Sequence, residues 1–299
     1  MASVFEELAA GGSQIFYSTH SPTFVNVARA DRIVLVERCD DEEEDICTQV
    51  NTTTAEELLR SRRRLHPEMR MSVTSLQERY RMLCAPEHAD AYFARVVVIV
   101  EGPTEAAALP IFAQGLGVDI DALGISIVPA RGKTSVDAFY QLYQTHKIAV
   151  FAVFDSDTHK NDADRAWNRV LTRMLGLEET DTPPAGTGRT HAILDGDYER
   201  AMRQAVNLAS PGLYEQLRAG AAELLGDSKP LVARYMASEL VRQGIIPDFI
   251  REIIRGVRQL ASPAPAGLEP DEPAPESPRA ASGSREAAAV DDLISNVFS

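Results

Sequence analysis

Residues 96–100 read Val-Val-Val-Ile-Val, an uninterrupted β-branched run that fits a strand buried on both faces of a parallel sheet. The periodicity then changes. Ala107, Ala108, Ile111 and Phe112 recur at helical spacing within 104–114, an apolar strand follows at 125–128, a helix at 135–145 and a third strand at 148–154. This alternation predicts an α/β unit, a parallel sheet flanked by helices, with ligands received at the carboxyl ends of its strands. Upstream, weaker patterns predict a helix at 3–10, a strand at 14–18 and another at 32–37. Downstream they predict helices at 162–175 and 197–208, separated by a Pro/Gly-rich loop at 183–188 and a short strand at 191–194, and then a helical pair at 229–243 and 247–260. From 261 onward Pro, Ala, Glu and Ser dominate, and large apolar groups are too few to offset the entropy of ordering, which predicts a disordered acidic tail. Only 290–298 has the pattern of a small amphipathic docking segment. The expected divisions are therefore 1–92, 93–260 and 261–299, with no internal repeat.

Composition supports a folded core, because 44% of the 299 residues are apolar. No run of about 18 apolar residues occurs and no basic-then-apolar leader opens the chain, so neither a membrane span nor a signal peptide is expected and the cytoplasm is the default. Cys39, Cys47 and Cys84 match no zinc-ribbon or finger spacing and are expected to be reduced, non-ligating thiols. The net charge of −14 at first argues against a nucleic-acid partner. Its distribution removes the objection without supplying support. The six acids of 40–45 contribute −6 and the tail −5, leaving −3 for the rest, part of which bound cations would neutralise. The run at 40–45 is expected to be a solvated hairpin tip, and the cluster Arg60, Arg62, Arg63, Arg64 and Arg70 a solvent-facing helical surface.

The chemistry concentrates at two strand ends. Glu101-Gly102-Pro103-Thr104-Glu105 follows the buried run directly; Gly there permits unusual backbone angles and Pro suits the first turn of a helix. Asp155 and Asp157 end another apolar strand, two residues apart and so on one face while strand geometry persists. Singly, Glu105 is explained as an acid at a helix N-terminus and Asp157 as a cap. Four acids at one sheet edge are not, since like charges repel strongly where water is scarce. A divalent cation resolves the repulsion, and hard oxygen ligands suit Mg2+ or Mn2+.

Val-Glu-Gly-Pro-Thr-Glu after one strand and Phe-Asp-Ser-Asp after a later one resemble the Toprim signature shared by topoisomerases, primases and overcoming-lysogenisation-defect (OLD) nucleases. Residues 14–22 resemble the last strand and switch-histidine segment of an ABC-type ATPase, with His20 as that histidine. An ATPase end followed by Toprim is the order of OLD endonucleases, and the resemblance covers roughly 3–260. It implies a Toprim-like sheet at 93–260 with an added helical segment, and an ATPase remnant in 1–92. It further implies a metal-dependent endodeoxyribonuclease acting on DNA with one or two Mg2+ or Mn2+ ions. Glu101, Asp155 and Asp157 would hold one ion, and Glu105 with Glu199 and Asp197 the second; Asp195 is a further candidate. Lys229 would offset charge on the phosphate beside catalytic Glu101 and Asp155. No Gly-x-x-x-x-Gly-Lys-Ser/Thr is present: Gly132-Lys133-Thr134 ends like one, but Ile127 stands where its first glycine belongs. ATP is thus not expected to bind this chain alone, and the nucleotide-binding core is expected upstream, in a longer parent or another chain. A homodimer is left open.

Two other readings compete. Phe154-Asp155-Ser156-Asp157-Thr158 also resembles the first motif of haloacid-dehalogenase phosphatases, with Asp155 as nucleophile, but that leaves Glu101 and Glu105 without a role. The other is a non-catalytic regulatory or dimerisation module, against which stands the presence of all the acids.

Overall fold

The computed structural model describes residues 2–39 and 47–262. In chain order its elements are α1 (Ala2–Ala10), β1 (Val34–Cys39), β2 (Cys47–Thr52), α2 (Ala55–Leu65), α3 (Val73–Leu83), α4 (Pro86–Asp90), β3 (Val96–Val100), α5 (Pro103–Gly115), β4 (Ile125–Pro129) and α6 (Lys133–Thr145). They continue with β5 (Ala149–Asp155), α7 (Asp162–Arg165), α8 (Trp167–Met174), β6 (Gly186–Thr187), β7 (His191–Leu194), α9 (Tyr198–Ala209), α10 (Leu213–Leu225), α11 (Lys229–Arg242) and α12 (Asp248–Ala261).

The apolar run at 96–100 is β3, and all five of its residues are buried because it lies inside a sheet of order β4-β3-β5-β7-β6. The first four strands of that order run parallel, and the two-residue β6 pairs antiparallel with β7. Alternate residues feed two cores, as the pleat requires. Val96, Val98, Val100, Phe151 and Val153 face α5 and the helices α9 to α12. Val97, Ile99, Val150, Ala152 and Phe154 face α6, α2, α3 and the segment around Val27 to Ala30. Val100 is in register with both Pro129 and Val153, so β3 and β4 end level, β5 runs two residues further to Asp155, and the loops that follow share one edge.

The elements expected from 93 onward form within a residue or two of their expected bounds, although the helix expected at 162–175 breaks at Ala166 into α7 and α8. Helix α10, with Leu213, Tyr214, Leu217 and Ala221 buried, was not expected. Upstream, β1 and β2 pair antiparallel from Val34 opposite Thr52 to Cys39 opposite Cys47; the acidic run expected as a hairpin tip lies outside the described residues, as does the tail from 263.

Two upstream expectations are corrected. Residues 14–18 form no strand. A strand needs a partner to satisfy its backbone groups, and among the described residues none pairs here. Tyr17 instead packs with Phe5 and Phe24, its hydroxyl donating to the Phe24 carbonyl at 2.7 Å. The arginine cluster is not wholly solvent-facing either. Arg62 is 1% exposed, ion-paired with the fully buried Asp137 of α6. A guanidinium this deep needs a carboxylate, and α6 supplies one.

Candidate metal centre at the sheet edge

The site grows out of the turn between β3 and α5. Glu101 leaves the strand with its Oε1 accepting the Asp155 main-chain N–H at 2.8 Å, which ties the end of β3 to the end of β5. Gly102 caps α5 with φ −139° and ψ 177°, ordinary extended angles, so conformational freedom is not what this glycine supplies. It supplies room: a Cβ there would stand 3.3 Å from Glu105 Oε2. Glu105, in the first turn of α5, folds back over that glycine and is 5% exposed. Burial lifts its carboxyl to about 7, with Glu101 and Glu199 adding to the rise.

Asp155 is the last residue of β5 and is 7% exposed. Burial, followed by the neighbouring Glu101 and Glu105, raises its carboxyl to about 9. Glu101 is raised as well, again chiefly by burial, against the opposing charge of Lys133. Asp155 Oδ1 is buried and accepts no hydrogen bond from the described residues. A solvent-deprived carboxylate oxygen beside two more acids calls for a cation.

Asp157 takes another course. The strand ends at Asp155, and Asp157 adopts φ +52°, so the alternation that would hold both aspartates on one face no longer applies. Its N–H donates to the Gly196 carbonyl at 2.8 Å, and the Ser156 hydroxyl accepts the Gly196 N–H at 2.9 Å, fastening this loop to the one after β7. The carboxylate of Asp157 meets two lysines: Lys133 donates to Oδ2, and Lys160 Nζ lies 2.7 Å from Oδ1 as an ion pair. Lys133 Nζ also stands 3.8 Å from Glu101 Oε1. Neither lysine was expected at the site. Lys133 belongs to the Gly132-Lys133-Thr134 run dismissed as a failed phosphate loop, and the usable signal was its place just after β4, at the same sheet edge.

The downstream candidates lie at the rim. Asp197 caps α9, its Oδ1 accepting the Arg200 N–H at 2.8 Å, and its Oδ2 is 3.1 Å from His159 Nε2. Glu199 pairs with Lys229 at 3.0 Å, the lysine 75% exposed. Both line a cleft of about 390 Å³ together with Thr104, Arg203, Tyr214 and Arg218. Asp195 is exposed. Among the described residues, no three His, Cys, Asp or Glu side chains already stand as a metal-ligand group. Glu101, Glu105 and Asp155 are brought together; Asp157 is turned to its lysines, and Asp197, Glu199 and Lys229 stand apart at the rim.

Residues 92–157 match the family model described as overcoming lysogenization defect protein-like, TOPRIM domain. An OLD nuclease of Thermus scotoductus is 26% identical over 256 residues, covering 84% of this chain and 42% of that protein, so the chain spans about two fifths of its relative's length. The C-terminal region of the Burkholderia pseudomallei OLD protein aligns over 57% of this chain and 100% of that one, with 20% identity and a TM-score of 0.45. That of the Xanthomonas campestris pv. campestris protein aligns over 56% and 97%, with 19% identity and a TM-score of 0.39. The stretch that holds Glu101, Glu105, Lys133, Asp155 and Asp157 thus matches the OLD-like TOPRIM family model, and the chain as a whole is similar to an OLD nuclease.

Proposed function

We propose that the chain is a divalent-metal-dependent nuclease that hydrolyses DNA phosphodiester bonds at the edge formed by β3 and β5. One observation carries the reading: the buried Oδ1 of Asp155 has no hydrogen-bond partner among the described residues while Glu101 and Glu105 crowd it. Three oxygen donors of this kind suit Mg2+ or Mn2+ better than softer metals. When bound, such an ion polarises the phosphoryl group and acidifies the attacking water.

The chain's own residues do the rest. Glu101, anchored by the Asp155 N–H, presents its carboxylate at a fixed place between two strand ends. Glu101, Glu105 and Asp155 would hold the ion as carboxylates, Glu105 and Asp155 releasing to solvent the protons that burial favours. Lys229, exposed at the rim and ion-paired with Glu199, would offset charge on the phosphate as DNA enters the cleft beside Thr104. Glu199 and Asp197, at the rim, would order a second ion or the water around the first. In the parent protein an upstream ATPase would control DNA engagement, and His20 belongs to that function. The phosphatase alternative leaves the Glu101 and Glu105 clustering unexplained, and no observation favours it.

The test is plasmid cleavage by the purified chain. Nicking or cutting that EDTA abolishes and Mg2+ or Mn2+ restores, without ATP, is the expected result. Undiminished cleavage in EDTA overturns the reading, as does absence of cleavage with either metal.

A further inference from the structure

The cleft of about 390 Å³ at the rim is lined by Thr104, from the turn that carries Glu101 and Glu105, and by residues of α9, α10 and α11. It adjoins the clustered acids, because Glu199 on its wall stands close enough to Glu105 to add to the rise of that carboxyl. Its floor is apolar. Met202, Tyr214, Ala233 and Met236 are buried there, and Val232 is partly so. Around the floor Arg203, Arg218 and Lys229 are matched by Asp197, Glu199 and Asp227. A groove that holds a duplex by its phosphates carries an excess of positive charge, and this one does not. Its volume lies instead within the roughly 300–1,000 Å³ of pockets that enclose small molecules, which admits one nucleotide and excludes a duplex.

The wall at Tyr214 has the chemistry of a stacking surface. Arg203 of α9 lies over the ring, its guanidinium carbon 5.2 Å from the centroid, and is steadied by Glu215 at 3.4 Å. Its side chain is still 53% exposed, which leaves the planar group accessible from the cleft it lines. Arg218 follows Tyr214 by one turn of α10, is exposed, and has neither a hydrogen bond nor an ion pair among the described residues. Both arginines lie near the Tyr214 phenol, where they oppose the rise that burial causes. A planar cation over an apolar floor is a surface on which an unpaired base stacks, and a second cation beside it suits the phosphate of the same nucleotide.

We infer that this cleft receives one unpaired nucleotide of the substrate strand, its base on the apolar floor against Arg203 and its phosphate at Arg218, beside the bond cut at the edge of β3 and β5. The assignment rests on the nuclease reading above and narrows its substrate to DNA in which a base is free to leave the stack, as at a mismatch. A fully paired duplex must first give up a pair and its stacking, a cost that is least where pairing is already lost. Arg203 and Arg218 therefore select the substrate and take no part in cutting it.

Fluorescence anisotropy of labelled DNA hairpins with the full chain in EDTA reads binding apart from cutting. Two hairpins are compared that differ at one central position, paired in one and mismatched in the other. Wild type is expected to bind the mismatched hairpin about tenfold more tightly, and Ala222→Trp, which fills the cleft from its wall, to bind the two within about twofold. Arg203→Ala, at an exposed position, is expected to lose the preference in the same way and decides the matter if Ala222→Trp does not fold. Equal affinity of wild type for the two hairpins overturns the inference, as does a preference kept by folded Ala222→Trp or by Arg203→Ala. Nicking of both hairpins by wild type with Mn2+ is scored alongside. Mismatch-selective binding without nicking supports the cleft assignment and overturns the nuclease reading, whereas nicking with equal binding of the two hairpins overturns the cleft assignment and leaves the nuclease reading standing.

Discussion

The Glu101 carboxylate accepts the Asp155 main-chain N–H at 2.8 Å, so the acid after β3 is both a candidate ligand and a tie to the end of β5. The two roles separate by substitution. Glu101→Gln keeps an acceptor for that N–H, and Glu101→Ala leaves a part-buried donor unsatisfied at a cost of about 1–3 kcal/mol. Both variants are expected to lose metal-dependent cleavage, and only Glu101→Ala to lose stability by that amount in urea denaturation with EDTA present. Equal stability of the two variants would show that the tie contributes nothing.

Burial sets a pH dependence with a definite sign. Glu105 is raised to about 7 and Asp155 to about 9, so between the ordinary carboxylate range and pH 9 the native chain holds protons that the unfolded chain has released. Stability then falls with rising pH. In EDTA, the Tm is expected to be highest near pH 5 and to decline through pH 7 to 9, with a shallower decline in Glu105→Gln. Saturating Mn2+ is expected to reverse the trend, because binding displaces those same protons. A Tm in EDTA that is level or rises across this range contradicts the burial of these acids.

Away from the site, Arg62 and Asp137 form a buried ion pair that His66 joins through Nε2 at 2.5 Å from Asp137 Oδ2. Removing one partner leaves an uncompensated charge in the core between α2 and α6. Arg62→Ala is expected to cost about 3–5 kcal/mol, and Arg62→Met/Asp137→Leu much less. Chemical denaturation checks both, and a double variant no more stable than Arg62→Ala would contradict the charge-based explanation.

These cases show which features the sequence made legible. β3 could be read because a strand buried on both faces leaves an unbroken apolar run, and the clustering of Glu101, Glu105 and Asp155 followed from where parallel strands end. The strand expected at 14–18 could not be judged, since alternation says nothing about whether a partner is there to pair with. Arg62 looked like its exposed neighbours because its counter-ion lies 75 residues away. Lys133 was missed for the same reason: Asp157 is 24 residues distant in sequence, and the left-handed turn that brings them together leaves no mark on side-chain periodicity.

His20 is exposed in a segment without regular structure. His20→Ala is expected to change stability by no more than about 0.5 kcal/mol and to leave metal-dependent cleavage by this chain at the wild-type rate. A loss of cleavage comparable to that of Glu101→Ala, or a requirement for added ATP, would contradict an autonomous nuclease regulated from upstream.

The buried carboxylate of Asp155 is the centre of the proposed chemistry, and its removal is the most direct measurement. Supercoiled plasmid incubated with Mn2+ and folded Asp155→Ala chain is expected to stay intact over a time in which wild type nicks or linearises it completely. Cleavage by Asp155→Ala at a rate near that of wild type would contradict the assignment of this sheet edge as the nuclease centre.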